Sequence, residues 1–162
     1  MSVIAGLIRF DGMPAHVEEL ALAAGRLNSP GLGEPAYWAE GGAALLIRQR
    51  IVTREDLAER QPLGGGGGKR VLVYDGRLDN REEIAAALGV RLNGETVPDG
   101  HLLLAALERW GEQALPRLIG DFALALWDKE NRKLLLARDQ MGRRTLYYHH
   151  GGNFVAFATT YR

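Results

Sequence analysis

The side chains able to carry out chemistry are few, and the first lies almost at the start of the chain. Ser2 directly precedes an apolar, β-branched run over residues 3–10, which predicts a buried strand with the serine hydroxyl at its beginning. A serine hydroxyl is a weak nucleophile that needs a neighbouring base to take its proton. The chain has no cysteine, which excludes a thiol nucleophile, a thiolate metal site and a disulfide.

Two other features that often mark a functional site predict none here. The four histidines are His16, His101, His149 and His150, and no pair shows the spacing of metal ligands. The glycine run over residues 64–68 lacks the glycine, lysine and hydroxyl order of a phosphate-binding loop. We therefore expect this run to be a flexible surface connection, too glycine-rich to form a strand.

The composition indicates one ordinary globular domain. A chain of 162 residues can bury a continuous core without help from disulfides or metals. Its 20 Lys and Arg residues balance its 20 Asp and Glu residues, which gives no electrostatic reason to expect nucleic acid or a membrane surface as partner. No apolar run approaches the roughly 18 residues of a membrane span, and no basic leader precedes the first strand. The sequence thus predicts a cytoplasmic location.

Short strands and a few helices alternate along the chain in an order typical of a layered α+β fold. Helices are predicted over residues 14–27, 80–88, 99–110 and 112–118, with Asn80 and Glu83 forming a capping box. Further strands are predicted over residues 36–40, 43–50, 70–75, 121–128, 133–138, 145–150 and 154–160. The strand pairs are joined as hairpins rather than by crossovers, which favours α+β over βαβ units.

Several sequence blocks carry a resemblance that periodicity does not explain. They are Gln61-Pro62-Leu63, residues 74–80 (YDGRLDN), Asp99 at the head of a leucine-rich helix, residues 120–128 (GDFALALWD), residues 138–148 (RDQMGRRTLYY) and Phe157-Ala158. In this order and spacing, they resemble the class II glutamine amidotransferase domain of asparagine synthetase-like proteins. The resemblance spans residues 1–162 and implies a four-layer αββα N-terminal-nucleophile hydrolase sandwich of antiparallel sheets.

The resemblance implies an activity, and Ser2 departs from it. Such domains hydrolyse the side-chain amide of glutamine and pass ammonia to a synthetase domain. The family's nucleophile is a cysteine made N-terminal by loss of the initiator methionine, and its own α-amine acts as base. Here Ser2 holds that place. An α-amine with a pKa of about 8 suits a thiol with a pKa of about 8.5 better than it suits a hydroxyl.

The oxyanion-hole motif of the family is altered as well. The family places Asn-Gly-Glu where this chain has Asp75-Gly76-Arg77. The Asn side chain and the Gly N–H of the family hold the oxyanion, whereas an ionised Asp75 donates no hydrogen bond. The family's Glu helps receive the α-ammonium group of glutamine, whereas Arg77 presents a cation. Alternatively, Asp75 and Gly76 are turn residues and Arg77 is a solvated loop charge.

Two positions keep the residues with which the family binds its substrate. Arg50 matches the arginine that holds the α-carboxylate of glutamine, a task suited to a planar guanidinium. Asp99 matches the aspartate that holds the α-amino group. The alternatives are that Arg50 is a solvated cation at a strand end and that Asp99 is a helix N-cap. Arg138-Asp139, by the same resemblance, is expected to be a buried ion pair without a catalytic role.

The synthetase half of the family is absent from these residues. Its Ser-Gly-Gly-x-Asp-Ser pyrophosphate loop does not occur, so no cofactor is expected in this domain, and ATP and Mg²⁺ would belong to the missing synthetase domain. Because the sequence ends on a predicted strand, we expect it to be a fragment of a longer chain, rather than a chain whose synthetase is a separate protein. The expected partner is an ATP-dependent synthetase domain, fused or separate, with glutamine and a homodimer left open.

Three functions remain from these observations. The first is a degenerate amidotransferase domain that serves as scaffold beside an amide-forming synthetase of the β-lactam synthetase or lasso-peptide cyclase type. The second is an active glutaminase that supplies ammonia for asparagine synthesis, with Ser2 as nucleophile or as an engineered replacement of cysteine. The third is a stand-alone N-terminal-nucleophile amidohydrolase acting on another amide. Ser2, Asp75 and Arg77 favour the first, and Arg50 and Asp99 favour the second.

Overall fold

Nine strands form two antiparallel sheets in the part of the chain that the computed structural model describes, residues 1–26, 30–52, 54–92 and 97–160. In chain order, the strands are β1 (Val3–Arg9), β2 (Pro35–Glu40), β3 (Ala43–Arg48), β4 (Leu63–Gly65), β5 (Arg70–Leu78), β6 (Gly120–Asp128), β7 (Lys133–Arg138), β8 (Tyr147–His150) and β9 (Phe154–Ala158). The first sheet has the order β2-β3-β1-β9-β8, and the second has the order β4-β5-β6-β7. The predicted hairpins β6-β7 and β8-β9 are confirmed.

The described residues also form helices α1 (Val17–Arg26), α2 (Arg54–Ala58), α3 (Arg81–Leu88) and α4 (Asp99–Trp110), with 3-10 helices at Gly66–Gly68 and Gly111–Arg117. Helices α1, α3 and α4 lie where the sequence predicts helices, whereas α2 was not predicted. The second 3-10 helix replaces the predicted α-helix over residues 112–118 and contains Pro116, which has no N–H to donate. Within the described residues, no helix is long and apolar enough to cross a membrane.

Because successive side chains of a strand point to opposite faces of its sheet, the strands contribute to three apolar clusters. The cluster between the two sheets contains Ile4, Ile8, Leu45, Ile47, Val71, Val73, Ala125 and Trp127. On the other face of the first sheet, Val3 and Ala5 pack with Leu20 of α1. On the other face of the second sheet, Leu72 packs with the buried residues of α3 and α4. Successive strand residues thus serve different clusters, and the predicted four-layer αββα sandwich is confirmed.

Helix α1 begins later than the sequence indicates. The Ala15 N–H donates to the carbonyl of Gly41 in the β2-β3 turn, which holds the chain out of a helical conformation. The helix then begins at Val17, and the His16 N–H donates to Glu19 Oε2 at 2.9 Å, half of a capping box. Pro14 therefore lies before the helix rather than in its first turn. The predicted end at Leu27 lies outside the described residues.

The glycine run begins within a strand, so the prediction that it is too glycine-rich to form one was wrong for Gly64 and Gly65. Gly64 and Gly65 pair with Val71 and Arg70 in strand β4. A Cβ atom on Gly65 would collide with the side chains of Leu104 and Glu108 of α4. Glycine here removes side-chain volume so that α4 can pack directly on the strand.

Asn80 occupies the predicted N-cap position of α3 but does not cap it. Its Nδ2 donates to Glu83 Oε2 at 3.2 Å and to the Arg117 carbonyl at 2.9 Å, while its Oδ1 accepts from the Ile119 N–H. No side-chain hydrogen bond reaches the α3 backbone. The capping-box prediction is thus wrong, because a tertiary link to the segment before β6 takes the carboxamide.

The start of α4 is held by a buried carboxylate. Glu59 is only 4% exposed, and its Oε2 accepts from the Gly100 N–H at 2.9 Å. Burial raises the pKa of Glu59 to about 7, the Gly100 N–H opposes the rise, and the charges of Asp99 and Asp56 add to it. The first turn of α4, which carries Asp99, therefore rests on a group that titrates near neutral pH.

We predict that Glu59→Gln flattens the pH dependence of folding. Because the folded pKa of about 7 exceeds the ordinary 4.5, the Glu59 contribution to stability is complete below about pH 4.5 and is lost as the pH rises through 7. Glutamine keeps the acceptor and removes the charge. The variant should match the wild type at pH 4 and exceed its free energy of unfolding at pH 8 by roughly 1–3 kcal/mol, measured by urea denaturation.

Glu34→Gln is the matched control because Glu34 is exposed. It should leave the free energy of unfolding unchanged at both pH values. Parallel pH dependences for the wild type and Glu59→Gln would contradict a buried, titrating Glu59.

Candidate functional site

All six residues singled out from the sequence line one cavity of about 390 Å³. They are Ser2, Arg50, Asp75, Gly76, Arg77 and Asp99. The remaining lining comes from Met1, Val52, Asp56, Leu78, Arg81 and Arg144. The cavity lies where the start of β1 and the end of β3 meet β5 of the opposite sheet. The fold therefore brings together residues that are up to 97 positions apart among the six, from Ser2 to Asp99.

Ser2 is held by hydrogen bonds on both its backbone and its side chain. It stands immediately before β1, whose first residue pairs with Arg48 at the end of β3. The Ser2 N–H donates to Asp75 Oδ1 at 2.7 Å, and its Oγ accepts from the Arg50 N–H at 2.9 Å. One lone pair of the hydroxyl oxygen is thus already engaged.

Asp75 is a buried carboxylate in the middle of the second sheet. It lies in β5 opposite Ala123 and is 3% exposed, so its interpretation as a turn residue is wrong. Strand alternation turns it to the side of Val73, toward the other sheet. Burial raises the pKa of Asp75, while the Arg144 guanidinium and the Ser2 N–H oppose that rise.

Gln61 fixes the strand next to Asp75. Its side-chain oxygen accepts from the Tyr74 N–H at 2.6 Å, and its Nε2 donates to the Tyr74 carbonyl at 3.1 Å. The side-chain amide thus mimics a neighbouring strand at the edge of β5. This contact gives Gln61 a structural role at the strand that carries the site.

Arg144 is the second partner of Asp75, and sequence reasoning missed it. Its Nη1 lies 3.6 Å from Asp75 Oδ2, and its side chain is 20% exposed. Its backbone N–H donates to Asp139 Oδ2 at 3.0 Å, and the Arg143 N–H donates to Asp139 Oδ1 at 2.9 Å. The sequence shows only that two arginines follow an aspartate at a short distance. This pattern does not indicate that Arg144 contacts a residue of β5.

Asp139 positions the Arg144 loop through backbone contacts. Burial alone would raise its pKa, but the N–H groups of Arg144 and Arg143 hold the pKa of Asp139 below its usual value. Arg138 is exposed and does not pair with Asp139. The predicted buried Arg138-Asp139 ion pair is therefore wrong, because backbone donors satisfy the carboxylate.

Gly76 occupies a position that only glycine fits. Its φ is 153°, and a Cβ atom there would collide with the carbonyl oxygen of Asp121 and with Phe122 on β6. The backbone of β5 therefore bends closely past β6 directly after Asp75. The glycine of the predicted oxyanion motif has a structural requirement of its own.

Arg50 and Arg77, the two arginines singled out from the sequence, are exposed and contact nearby acceptors. Arg50 follows β3, and its Nη2 donates to the Pro30 carbonyl at 3.2 Å. Arg77 lies in β5 rather than in a loop, and its Nε is 3.0 Å from Asp79 Oδ1. Both guanidinium groups border the cavity while they contact local acceptors.

Asp99 is the first residue of α4 and lines the cavity. Pro98 rather than Asp99 is the N-cap, so the capping interpretation is wrong. Asp99 Oδ2 accepts from the Leu78 N–H at 2.8 Å, and its Oδ1 lies 3.4 Å from Arg81 Nε. These contacts join α3, α4 and the end of β5 around one carboxylate.

Charges of both signs surround the cavity. Four arginines (Arg50, Arg77, Arg81 and Arg144) and three aspartates (Asp56, Asp75 and Asp99) line it. Such a lining is suited to a small zwitterion, because guanidinium groups bind carboxylates and carboxylates bind ammonium groups. Beside Ser2, however, the side chain within hydrogen-bonding distance is an acceptor. No group of three or more His, Asp or Glu side chains arranged for a metal ion occurs among the described residues.

Comparison with known proteins agrees with this architecture. The family model described as "Glutamine amidotransferase domain" matches residues 1–162. The chain is similar in fold to the glutamine phosphoribosylpyrophosphate amidotransferase from B. subtilis, with a TM-score of 0.60 and 19% identity over 96% of this chain and 35% of that one.

Two sequence relatives are longer proteins. "Putative asparagine synthetase (glutamine-hydrolyzing)" of Mycobacterium bovis is 30% identical over 95% of this chain and 26% of its own length. "Asparagine synthetase B (glutamine-hydrolyzing)" of Escherichia coli is 33% identical over 70% of this chain and 21% of its own length. The chain spans about a quarter of the length of these relatives. It therefore belongs to the glutamine amidotransferase domain family, as a domain of the kind found in asparagine synthetase-like proteins.

Proposed function

We propose that this domain has lost glutamine hydrolysis and serves as a scaffold and docking domain for an ATP-dependent, amide-forming synthetase of the β-lactam synthetase or lasso-peptide cyclase type. One observation carries the proposal. The buried Asp75 carboxylate lies 2.7 Å from the Ser2 backbone nitrogen, and the family resemblance assigns to its sequence position the residue that donates a hydrogen bond to the oxyanion.

An ionised Asp75 opposes the chemistry that the family performs. Hydrolysis of an amide passes through a tetrahedral oxyanion that preorganised donors must stabilise, and loss of one donor costs about 10²–10³ in rate. A carboxylate offers acceptors alone. It also places a negative charge beside the developing oxyanion, where the low local dielectric strengthens the repulsion.

Protonation of Asp75 does not restore the reaction. A neutral carboxylic acid can donate a hydrogen bond, and burial raises the pKa of Asp75 toward that state. The base of this mechanism, however, is an α-amine with an ordinary pKa of about 8. The ordinary pKa of an aspartate lies about four units below that of the amine, so the donor and the base require opposite pH conditions.

Arg77 adds a second conflict at the mouth of the cavity. It presents a guanidinium where the family has a glutamate that receives the α-ammonium group of glutamine. Its contact with Asp79 is largely exposed, at 64% and 47% for the two side chains, so solvent weakens the neutralisation. The cation therefore disfavours glutamine in its usual orientation.

The docking role is supported by the size of the relatives. This chain corresponds to about a quarter of each, and the remainder has no counterpart here. A synthetase that activates a carboxylate and joins it to an amine of its own substrate needs no ammonia. The amidotransferase domain can then persist for its surface rather than for its catalysis.

An active glutaminase that uses Ser2 and supplies ammonia for asparagine synthesis is the second candidate. Arg50 and Asp99 favour it, because both line the same cavity as Ser2 and match the clamp for the two ends of glutamine. In that case Ser2 would attack the amide carbon, and the clamp would orient the substrate.

We predict that the protein releases no ammonia from glutamine above background, and that Ser2→Cys alone does not rescue it. The thiol supplies a better nucleophile, but the Asp75 carboxylate still occupies the oxyanion position. Ammonia release should be measured with a coupled assay on protein shown by mass spectrometry to lack Met1. Turnover by the single variant well above background would contradict the proposal.

The matched comparison is the triple variant Ser2→Cys, Asp75→Asn, Arg77→Glu. It restores a thiol, a side-chain donor and an anion for the substrate ammonium in one cavity. We expect its rate to exceed that of Ser2→Cys by about 10²-fold or more. Equal rates for the single and triple variants would show that Asp75 and Arg77 are not the obstacle.

The scaffold role predicts a different result for the synthetase reaction. In a protein or complex that contains both parts, Ser2→Ala should leave the ATP-dependent formation of the amide product unchanged. The readout is pyrophosphate release together with product mass, measured without added glutamine. Dependence of product formation on glutamine and on Ser2 would instead favour the second candidate.

A further inference from the structure

We propose that Asp75 is a positioning residue that locks the α-amine of Ser2 in its protonated form once Met1 has been removed. The inference deepens the proposed loss of glutamine hydrolysis and rests on it for its functional meaning. It assigns to Asp75 an action on the base of the mechanism, in addition to its position at the oxyanion site.

The contact required for the lock already exists. The Ser2 nitrogen that donates to Asp75 Oδ1 at 2.7 Å becomes the α-nitrogen when Met1 is cleaved. An ammonium group at that atom would find its counter-ion in place, without movement of either chain segment. The hydrogen bond, in which only the acceptor is charged while Met1 is present, would become an ion pair between an ammonium and a carboxylate.

The surroundings of Asp75 strengthen its attraction for an ammonium group at the Ser2 nitrogen. Asp75 is 3% exposed, so the attraction acts in a lower dielectric than at the surface. Val3 and Ile4 of β1 are buried directly after Ser2, and the Ile4 N–H donates to Thr159 Oγ1 at 3.1 Å. The start of the strand is therefore fixed, and the nitrogen cannot swing away from the carboxylate without breaking β1 contacts.

Arg144 holds the other oxygen of the same carboxylate. Its Nη1 lies 3.6 Å from Asp75 Oδ2, on a loop that Asp139 anchors through two backbone N–H groups. Burial by itself would favour a neutral Asp75, and the guanidinium favours the ionised form. Arg144 thus contacts the carboxylate and opposes the rise in the Asp75 pKa that burial causes, which favours the anion that would pair with the α-ammonium.

The other charges around the cavity do not reverse this balance. Arg50, Arg77 and Arg81 disfavour a nearby ammonium, whereas Asp56 and Asp99 favour it. Arg50 and Arg77 are exposed and therefore screened by solvent. The direct contact at 2.7 Å dominates, because Coulomb energy falls with distance.

A protonated α-amine has no lone pair with which to accept the hydroxyl proton. Ser2 Oγ accepts from the Arg50 N–H, which stabilises the oxygen but removes no proton from it. The nucleophile therefore stays a neutral alcohol at physiological pH. Asp75 suppresses both halves of the mechanism, the activation of the nucleophile and the stabilisation of the oxyanion.

The test is a titration of the α-amine in protein that begins at Ser2, prepared by proteolytic removal of an N-terminal fusion. The Ser2 ¹³Cα chemical shift, followed by NMR with ¹³C-labelled serine, reports the pKa directly. We expect a value at least about one pH unit above the ordinary value of about 8. In Asp75→Asn, the pKa should fall back to the ordinary value or below it.

Asp99→Asn is the matched control, since Asp99 lines the same cavity but bonds to the Leu78 N–H. It should shift the α-amine pKa far less than Asp75→Asn. A wild-type pKa at or below about 8 overturns the lock, whatever the variants do. Because wild-type protein alone decides this, a failure of Asp75→Asn to fold leaves the test intact.

The two proposals fail separately. An ordinary α-amine pKa with no ammonia release removes the lock and leaves the proposed loss of hydrolysis standing. A raised pKa together with ammonia release from glutamine keeps the lock and removes the proposed function.

Discussion

The hydrogen bond between the Ser2 N–H and the Asp75 carboxylate is the contact on which the site depends. It joins Asp75, which lies in one sheet, to Ser2, which is 73 positions away and directly precedes the first strand of the other sheet. Burying a carboxylate at such a junction is costly unless donors and opposite charge compensate it. The Ser2 N–H on one side and the Arg144 guanidinium on the other provide that compensation. Strand β1 positions Ser2, and the loop held by Asp139 positions Arg144.

Much of the fold exists to hold this junction in place. The cluster between the sheets fixes β1 against β5, and the side-chain amide of Gln61 fixes the backbone just before Asp75. Asp139 fixes the loop that carries Arg144. Glycine at position 76 lets β5 pass β6 without a clash. These contacts hold the backbone around the cavity in place, and with it the charged side chains that line the cavity.

Features with a local cause could be predicted from the sequence. The apolar runs that form the buried strands β1, β3, β5 and β6 and the end of α3 at Gly89 follow from neighbouring residues, and the family resemblance located the six cavity residues. Features that depend on distant partners could not. Asn80 bonds to Ile119 instead of α3, Asp139 takes backbone donors instead of Arg138, and Gly65 forms a strand because α4 packs on it. Arg144 was missed for the same reason, since its partner lies 69 residues earlier.

The central claim is that no protonation state of this cavity supports glutamine hydrolysis. The most direct measurement is the pH profile of ammonia release from glutamine between pH 5 and 9, on protein that begins at Ser2. We expect background release throughout, because acid that protonates Asp75 also protonates the α-amine, whereas a pH that frees the amine favours an ionised Asp75. A bell-shaped profile, or a rate that rises above background toward alkaline pH, would contradict it.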